Sequence, residues 1–306
     1  MSRNGGVAAR IVLAVVVVMA AVSCGSTGAS KPASSPSVAA LPESGTSTVE
    51  IGGRPVTVHV PESYDPAKAA APLVVLLHGY SSFAKEQESY FKLTPESDRR
   101  GFVYVYPDGT VDDRGDRFWN ATDACCDFFD AQPDDSRYLS ELIATIQREY
   151  RIDRVYLIGH SNGGFMAFRM ACDHADQVTA VASLNGATWN DATKCRPSEP
   201  VSVLAVHGDA DETIAFGGGS IDGSTYPSAA TTVAQWREHD GCTGDGREAA
   251  AVDLVGGAPA ETSVRAWDCT GNATVQAWTI DGGTHVPPLG PGFAPAVTDF
   301  LLAQRD

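Results

Sequence analysis

Positive charge is scarce in this sequence of 306 residues, which has 22 lysines and arginines against 38 aspartates and glutamates. A chain this acidic is repelled by nucleic-acid phosphates and by anionic membrane surfaces, so we expect no nucleic-acid partner. Metal-ligand spacings are missing too, since neither a CxxC nor an HxxxH motif occurs, and we expect no metal and no cofactor. What the chain does have is a hydrophobic share of 43%, which is enough to bury a large core.

The N-terminus carries the one long apolar run of the sequence, at residues 11–22 behind a basic start. Twelve apolar residues are too few to span a bilayer, and this arrangement is typical of a signal peptide. The run ends in Ala-Val-Ser-Cys, which resembles a bacterial lipobox. We therefore predict a signal peptide over residues 1–23 and diacylation of Cys24. The alternative is an ordinary secretory signal, and both interpretations imply export.

Cys24 begins a segment, residues 24–45, that is rich in serine, proline, alanine and glycine and has no apolar period. Such a composition predicts a flexible linker. Because no later composition break occurs, we expect one domain over residues 46–306. Its six cysteines, an even number, are typical of disulfides in an oxidising compartment, but fifteen pairings are open. They are Cys125, Cys126, Cys172, Cys195, Cys242 and Cys269.

Short apolar runs bounded by turn residues predict buried parallel strands. The runs lie at residues 73–77, 103–106, 155–158 and 201–206, with 178–184 and 275–280 as further members and a hairpin at 48–60. Helical patterns lie between them, at residues 136–150, 165–172 and 228–239. Strands that alternate with helices predict an α/β fold with a mostly parallel sheet and helices on both faces. In such folds ligands bind beyond the carboxyl ends of the strands.

The loop after residues 155–158 reads Gly-His-Ser-Asn-Gly and is the only G-x-S-x-G pentapeptide of the chain. An apolar strand leads into it and a helix leads out, which is the context of a nucleophile elbow with Ser161 as the nucleophile. The competing interpretation is a glycine-rich turn without catalysis. A serine nucleophile needs a base, and on this fold the order along the chain is serine, acid, histidine. His285, which follows a predicted strand and two glycines, is the candidate base.

An acid and two hydrogen-bond donors complete such a site. Asp209 and Asp211 follow a predicted strand and compete for the role of the acid, with Asp135 as a more distant candidate. The oxyanion of the tetrahedral intermediate needs two donors. We expect them to be the backbone N–H groups of Tyr80, after an early strand, and of Asn162, after the nucleophile.

Several segments together resemble exported α/β-hydrolase esterases related to polyhydroxybutyrate depolymerases, feruloyl esterases and acetyl xylan esterases. The resemblance covers residues 48–303 and lies above all in PLVVLLHGY (72–80), WNATDACC (119–126), DDSRYL (134–139), IDRVYLIGHSNGGFMAFRMAC (152–172) and VSVLAVHGDADETI (201–214). It implies an α/β-hydrolase fold and assigns the acid to Asp211. One departure concerns the substrate: relatives often have an aromatic residue two positions after the histidine, where this chain has Pro287.

The resemblance also implies disulfides Cys242–Cys269 and Cys172–Cys195, which leaves Cys125 to pair with Cys126 or to rearrange with the others. The sequence thus predicts a monomeric, exported serine esterase that meets the membrane only through a lipid anchor. Its expected substrates are short-acyl, polysaccharide-linked or polyester esters. The alternatives are an acyltransferase on the same fold and a non-catalytic binding lipoprotein.

Overall fold

A computed structural model describes residues 42–256 and 260–305, which belong to one compact unit. The predicted signal peptide, Cys24 and most of the predicted linker lie outside these residues. The first strand begins at Gly45, one residue before the predicted start of the domain. None of the helices in the described part of the chain has the length and apolarity that a membrane crossing needs.

Fourteen strands and six α-helices form within the described residues. The strands are β1 Gly45–Ile51, β2 Arg54–Val60, β3 Ala71–Leu77, β4 Val103–Pro107, β5 Thr110–Val111, β6 Arg117–Phe118, β7 Ile152–His160, β8 Ala180–Leu184, β9 Ser202–Gly208, β10 Gly219–Ile221, β11 Ser224–Tyr226, β12 Arg247–Val252, β13 Thr262–Asp268 and β14 Thr274–Ile280. The helices are α1 Ala84–Phe91, α2 Thr94–Arg100, α3 Asp135–Glu149, α4 Asn162–Asp173, α5 Ala229–His239 and α6 Phe293–Ala303.

Ten strands form one sheet in the order β1-β2-β4-β3-β7-β8-β9-β14-β13-β12. The six central strands, from β4 to β14 in this order, run parallel, and the strands at both edges are antiparallel. The predicted hairpin and the six predicted central strands are all observed. The sheet therefore brings the carboxyl ends of β7, β8, β9 and β14, four consecutive neighbours, to one edge.

Helices cover both faces of the sheet and create two apolar clusters. Along β3, Leu73 and Val75 face the cluster that contains α3, α4 and α5, whereas Val74 and Leu76 face the cluster that contains α1 and α6. This alternation follows from the two-residue period of a strand, and burial on both sides explains why the central strands are apolar throughout. The chain has the α/β-hydrolase architecture that the sequence predicts.

Candidate active site

Strand β7 ends in a tight turn that isolates Ser161 above the sheet. Ser161 has φ 53° and ψ −122°, a left-handed conformation that costs a non-glycine residue about 1–3 kcal/mol. Its N–H donates to the carbonyl of Leu184 at 2.8 Å, and α4 begins with the next residue. A Cβ on Gly159 would overlap the backbone of Gly163, and one on Gly163 would overlap the backbone of Leu77. Only glycines therefore let the strand and the helix approach this closely.

The structure brings Ser161, His285 and Asp211 together, from loops after β7, β14 and β9. Nε2 of His285 lies 2.9 Å from the Ser161 hydroxyl oxygen, and its Nδ1 lies 2.8 Å from Oδ2 of Asp211. Because a carboxylate only accepts, Nδ1–H donates to Asp211 and leaves Nε2 free to accept the proton of Ser161. The side chain of Asp211 is completely buried, whereas that of His285 is 16% exposed.

Asp211 is held in its ionised form by the groups around it. Burial by itself would raise its pKa, but the hydrogen bond and charge of His285 and two backbone donors outweigh burial and lower the pKa. The donors are the amides of Thr213 and Ile214, at 2.8 and 2.9 Å from Oδ1. His207 lies 3.6 Å from Oδ2 of Asp211 but donates to the Ile214 carbonyl instead, and burial lowers its pKa.

The other two acid candidates lie away from His285. Asp209 is exposed, and its Oδ1 accepts from the amide of Gly282 at 2.7 Å. Asp135 is buried at the start of α3, where it pairs with Arg54 at 2.6 Å and accepts from the amide of Asn120 at 2.7 Å. Of the three carboxylates that the sequence offered, Asp211 alone contacts the histidine.

Within the described residues, two backbone amides near Ser161 have no hydrogen-bond acceptor: that of Asn162, the next residue, and that of Tyr80, which lines the same cleft. The loop of Tyr80 is fixed by His78, whose Nδ1 donates to the carbonyl of Gly79 at 2.7 Å and whose Nε2 accepts from Gly109 at 2.9 Å. Burial lowers the pKa of His78 to about 4, which keeps the ring neutral and able to accept. The Tyr80 hydroxyl donates to Asp112 at 2.7 Å and so fixes the side chain as well.

Disulfides join the two pairs that the resemblance implies, Cys172–Cys195 and Cys242–Cys269, and of the two outcomes left open for Cys125 the structure has the bond to Cys126. The Cys125–Cys126 disulfide lies under the elbow. The side-chain amide of Asn162 donates to Sγ of Cys125 at 3.4 Å and to the carbonyl of Trp119 at 2.8 Å, and its Oδ1 accepts from the Trp119 amide at 2.7 Å. The loop over residues 119–126 is thereby attached to the residue that follows the serine.

A cleft of about 460 Å³ opens over Ser161 and His285, with Tyr80, Glu86 and Tyr90 among its walls. Sequence reasoning missed Tyr90, which reaches the histidine loop from α1 and donates to the Pro287 carbonyl at 2.7 Å. It also missed two buried contacts of that loop, described below. Within the described residues, no three histidine, cysteine or acidic side chains are arranged to hold a metal ion.

Comparison with known proteins matches residues 72–216 to the family model of the alpha/beta hydrolase fold. The putative esterase NocK of Nocardia uniformis subsp. tsuyamanensis is 30% identical over 255 residues, which cover 77% of this chain and 72% of that protein. A bifunctional acetylxylan esterase/xylanase of Neocallimastix patriciarum is 30% identical over 166 residues, 54% of this chain and 22% of that protein.

Among solved structures, the acetyl xylan esterase from Aspergillus awamori superposes with a TM-score of 0.59 and covers 81% of this chain and 93% of its own. At 14% identity this likeness establishes the shared fold alone. The sequence relatives go further, because the similarity to NocK extends over most of both chains. The chain belongs to the α/β-hydrolase family and is a hydrolase related to esterases.

Proposed function

We propose that this protein is a serine esterase in which Ser161, His285 and Asp211 form the catalytic triad. The observation that carries the proposal is the unbroken chain of hydrogen bonds from Asp211 through His285 to the hydroxyl of Ser161. Binding alone requires no such chain, and this argues against a non-catalytic lipoprotein. The strained backbone of Ser161 also supports catalysis, because strained backbone conformations cluster at active sites.

In the first half of the reaction, Oγ of Ser161 attacks the ester carbonyl carbon while Nε2 of His285 takes the hydroxyl proton. The amides of Tyr80 and Asn162 donate to the oxyanion that forms, and the N-terminus of α4 adds its dipole. Collapse of the tetrahedral intermediate expels the alcohol, which receives the proton from His285. Water then attacks the acyl-enzyme by the same route and releases the acid and free Ser161.

For the substrate we propose one of three kinds of ester: a short-acyl ester, an ester linked to a polysaccharide, or a polyester of the hydroxybutyrate kind. An open cleft with polar and aromatic walls suits a polar alcohol better than a long acyl chain. The acetylxylan esterase name of one relative supports the polysaccharide alternative. An acyltransferase remains the second candidate on this fold, but it needs an acceptor site that excludes water, and this cleft is open.

We further propose that the enzyme is exported and held at the outer face of the cell membrane through Cys24. Its three disulfides are consistent with an oxidising compartment. The lipid anchor itself rests on the sequence pattern alone.

Replacing the nucleophile tests the catalytic proposal. Ser161→Ala should lower kcat on a p-nitrophenyl ester by about 10,000-fold or more and abolish fluorophosphonate labelling, with an unchanged melting temperature. Ser89→Ala, a change at an exposed serine of α1, is the matched control and should behave like the native enzyme. Residual activity within about tenfold of native would refute the assignment. A panel of acetylated xylan, methyl ferulate and hydroxybutyrate oligomers would then separate the substrate classes.

A further inference from the structure

Two buried side chains outside the triad converge on one backbone atom, the carbonyl oxygen of His285. Nε2 of His160 and Nδ2 of Asn185 each lie 2.8 Å from it. A carbonyl oxygen only accepts, so both nitrogens donate. We propose that His160 and Asn185, here called the carbonyl clamp, are positioning residues that hold the imidazole of His285 in line with Ser161 and Asp211. The inference rests on the proposed esterase mechanism and adds two residues to it.

Asn185 connects the base to the loop of the acid. It follows β8, the strand that lies between the serine strand β7 and the acid strand β9, and it is completely buried. Its Oδ1 accepts from the amide of Gly208 at 2.9 Å, while its Nδ2 also donates to the carbonyl of Thr284 at 3.1 Å. One side-chain amide thus bridges the strand end before Asp211 and the loop of His285.

The orientation of this amide is fixed by its partners. A rotated amide would direct its NH₂ group at the N–H of Gly208 and its oxygen at two carbonyls, so every one of its hydrogen bonds would be lost. The backbone of Asn185 has φ 55°, a left-handed conformation that asparagine tolerates better than most residues. Its own N–H donates to the carbonyl of Val206 at 2.9 Å, which ties the residue to β9.

His160 connects the base to the nucleophile, because it is the residue before Ser161. Its ring packs against the ring of His285, with centroids 5.1 Å apart, and against the ring of Tyr90, with centroids 5.5 Å apart. Burial, together with the charge of the nearby His285, lowers the pKa of His160 to about 4, and the hydrogen bond to the His285 carbonyl and the charge of Asp211 offset this only in part. The ring is therefore neutral at ordinary pH. It donates through Nε2 without adding a positive charge next to the imidazolium that forms on His285 during catalysis.

The clamp matters because, within the described residues, no other hydrogen bond reaches the carbonyl of His285, although Asp209 and Tyr90 hold the loop on either side of it. Two glycines precede the loop at positions 282 and 283, and Val286 after it is 59% exposed. Misplacing a catalytic group by about 1 Å can cost about 100-fold in rate. Loss of either donor should therefore slow the transfer of the Ser161 proton to His285, even in enzyme that remains folded.

Three variants test the clamp. Asn190→Asp, at an exposed asparagine, is the control. Asn185→Asp keeps the acceptor for Gly208 but turns an oxygen toward the two carbonyls. His160→Phe keeps the ring packing and removes the donor. His160→Gln restores an N–H donor. We expect Asn185→Asp and His160→Phe to lower kcat and the rate of fluorophosphonate inactivation by about 10- to 100-fold, with KM within about threefold of native. We expect His160→Gln to recover most of the lost rate.

Rates are measured well below the melting temperature of each variant, on enzyme whose folded fraction is known. A merely structural role would lower the melting temperature and leave kcat per folded enzyme at the native value in both His160→Phe and Asn185→Asp, and this would overturn the clamp alone. A His160→Gln variant as slow as His160→Phe would overturn the role of the donor. A native enzyme that neither hydrolyses esters nor reacts with fluorophosphonate would overturn the clamp and the esterase proposal together.

Discussion

Two aspartates of one loop, Asp209 and Asp211, show how much of a role depends on the direction of a side chain. Both follow β9, and both carboxylates accept backbone hydrogen bonds. Asp211 is buried and contacts the imidazole of His285, whereas Asp209 is exposed and accepts from Gly282, three residues before that imidazole. Asp209 therefore supports the turn of the His285 loop, and Asp211 orients the imidazole that we propose as the base.

We accordingly expect Asp211→Asn to lower kcat by about 10,000-fold, the size of the effect in the serine-protease template, with a largely intact fold. The amide keeps the shape of the side chain but removes the charge that stabilises the imidazolium. Asp209→Asn is the matched control and should act mainly on the melting temperature. The measurement is kcat for both variants on one activated ester, with thermal melts alongside. A severe loss for Asp209→Asn at native stability, with a mild one for Asp211→Asn, would reverse the two roles.

Among single residues, the sequence predicted those site residues that lie in a loop just after a strand. Ser161 and His285 lie three and five positions after the ends of predicted strands, and a glycine-rich context marks each of them. Asn185 also follows a predicted strand, so its place at the catalytic edge was predictable. Its role was not, because that depends on contacts with backbone atoms about 23 to 100 residues away along the chain. Every residue except proline offers the same backbone groups, so the sequence does not indicate which of them a side chain will bind.

Elements were predictable where burial imposes a strong pattern. Helix α3 was predicted because its apolar residues repeat on one face, and the side chain of Asp134 caps it by accepting from Arg137. Helices α1, α2 and α6 were not predicted. Helix α2 has only seven residues, which is too short for a clear helical repeat of apolar residues. Strand β12 was missed because almost all of its residues are exposed. Strand β13 does alternate between buried and exposed residues, and this signal was overlooked.

Helix α5 ends at a buried carboxyl group that connects three elements. Asp240, its C-cap, accepts from the amide of Val201 at 3.1 Å through Oδ1, and its carbonyl accepts from the amide of Thr270 at 2.9 Å. Oδ2 has no hydrogen-bond partner within the described residues. Burial raises the pKa of Asp240 to about 7 even though the hydrogen bond from Val201 acts to lower it.

The raised pKa gives a definite sign to the pH dependence of stability. Between about pH 4 and pH 7 the folded state holds a proton on Asp240 that the unfolded state has lost, so the free energy of unfolding falls as the pH rises through this window. Asp240→Asn keeps the acceptor for Val201 and cannot ionise. We expect the variant to be more stable than the native protein at about pH 8 by roughly a few kcal/mol, with a gap that narrows toward about pH 5.

Chemical denaturation of both proteins at several pH values measures this gap. Asp176→Asn, at an exposed aspartate, is the control for the loss of one negative charge. A gap that stays constant with pH, or that widens toward acid, would show that Asp240 is ionised in the folded protein throughout.

For the molecule as a whole, the order of the sheet explains why a site spread over 125 positions of sequence is compact. Strands β7, β8, β9 and β14 lie side by side and parallel, and the residues after them are Ser161, Asn185, Asp211 and His285. Each neighbouring strand thus supplies one member of the proposed machinery. The alternation of strands and helices predicted the edge at which they meet, but the order of strands within the sheet came from the structure.

The last prediction concerns where the whole enzyme is found. The chain has a formal net charge of −16, so an anionic membrane surface repels it, and we predict that attachment comes from acyl chains on Cys24. Two acyl chains are enough for stable anchoring. Cys24→Ala should therefore move the enzyme from the membrane fraction to the medium with an unchanged kcat, because Cys24 lies well before the first strand at Gly45. Cell fractionation measures where the enzyme is found, and mass spectrometry of the N-terminus measures whether Cys24 carries acyl chains. A native protein that is wholly in the medium and carries no lipid would favour plain secretion.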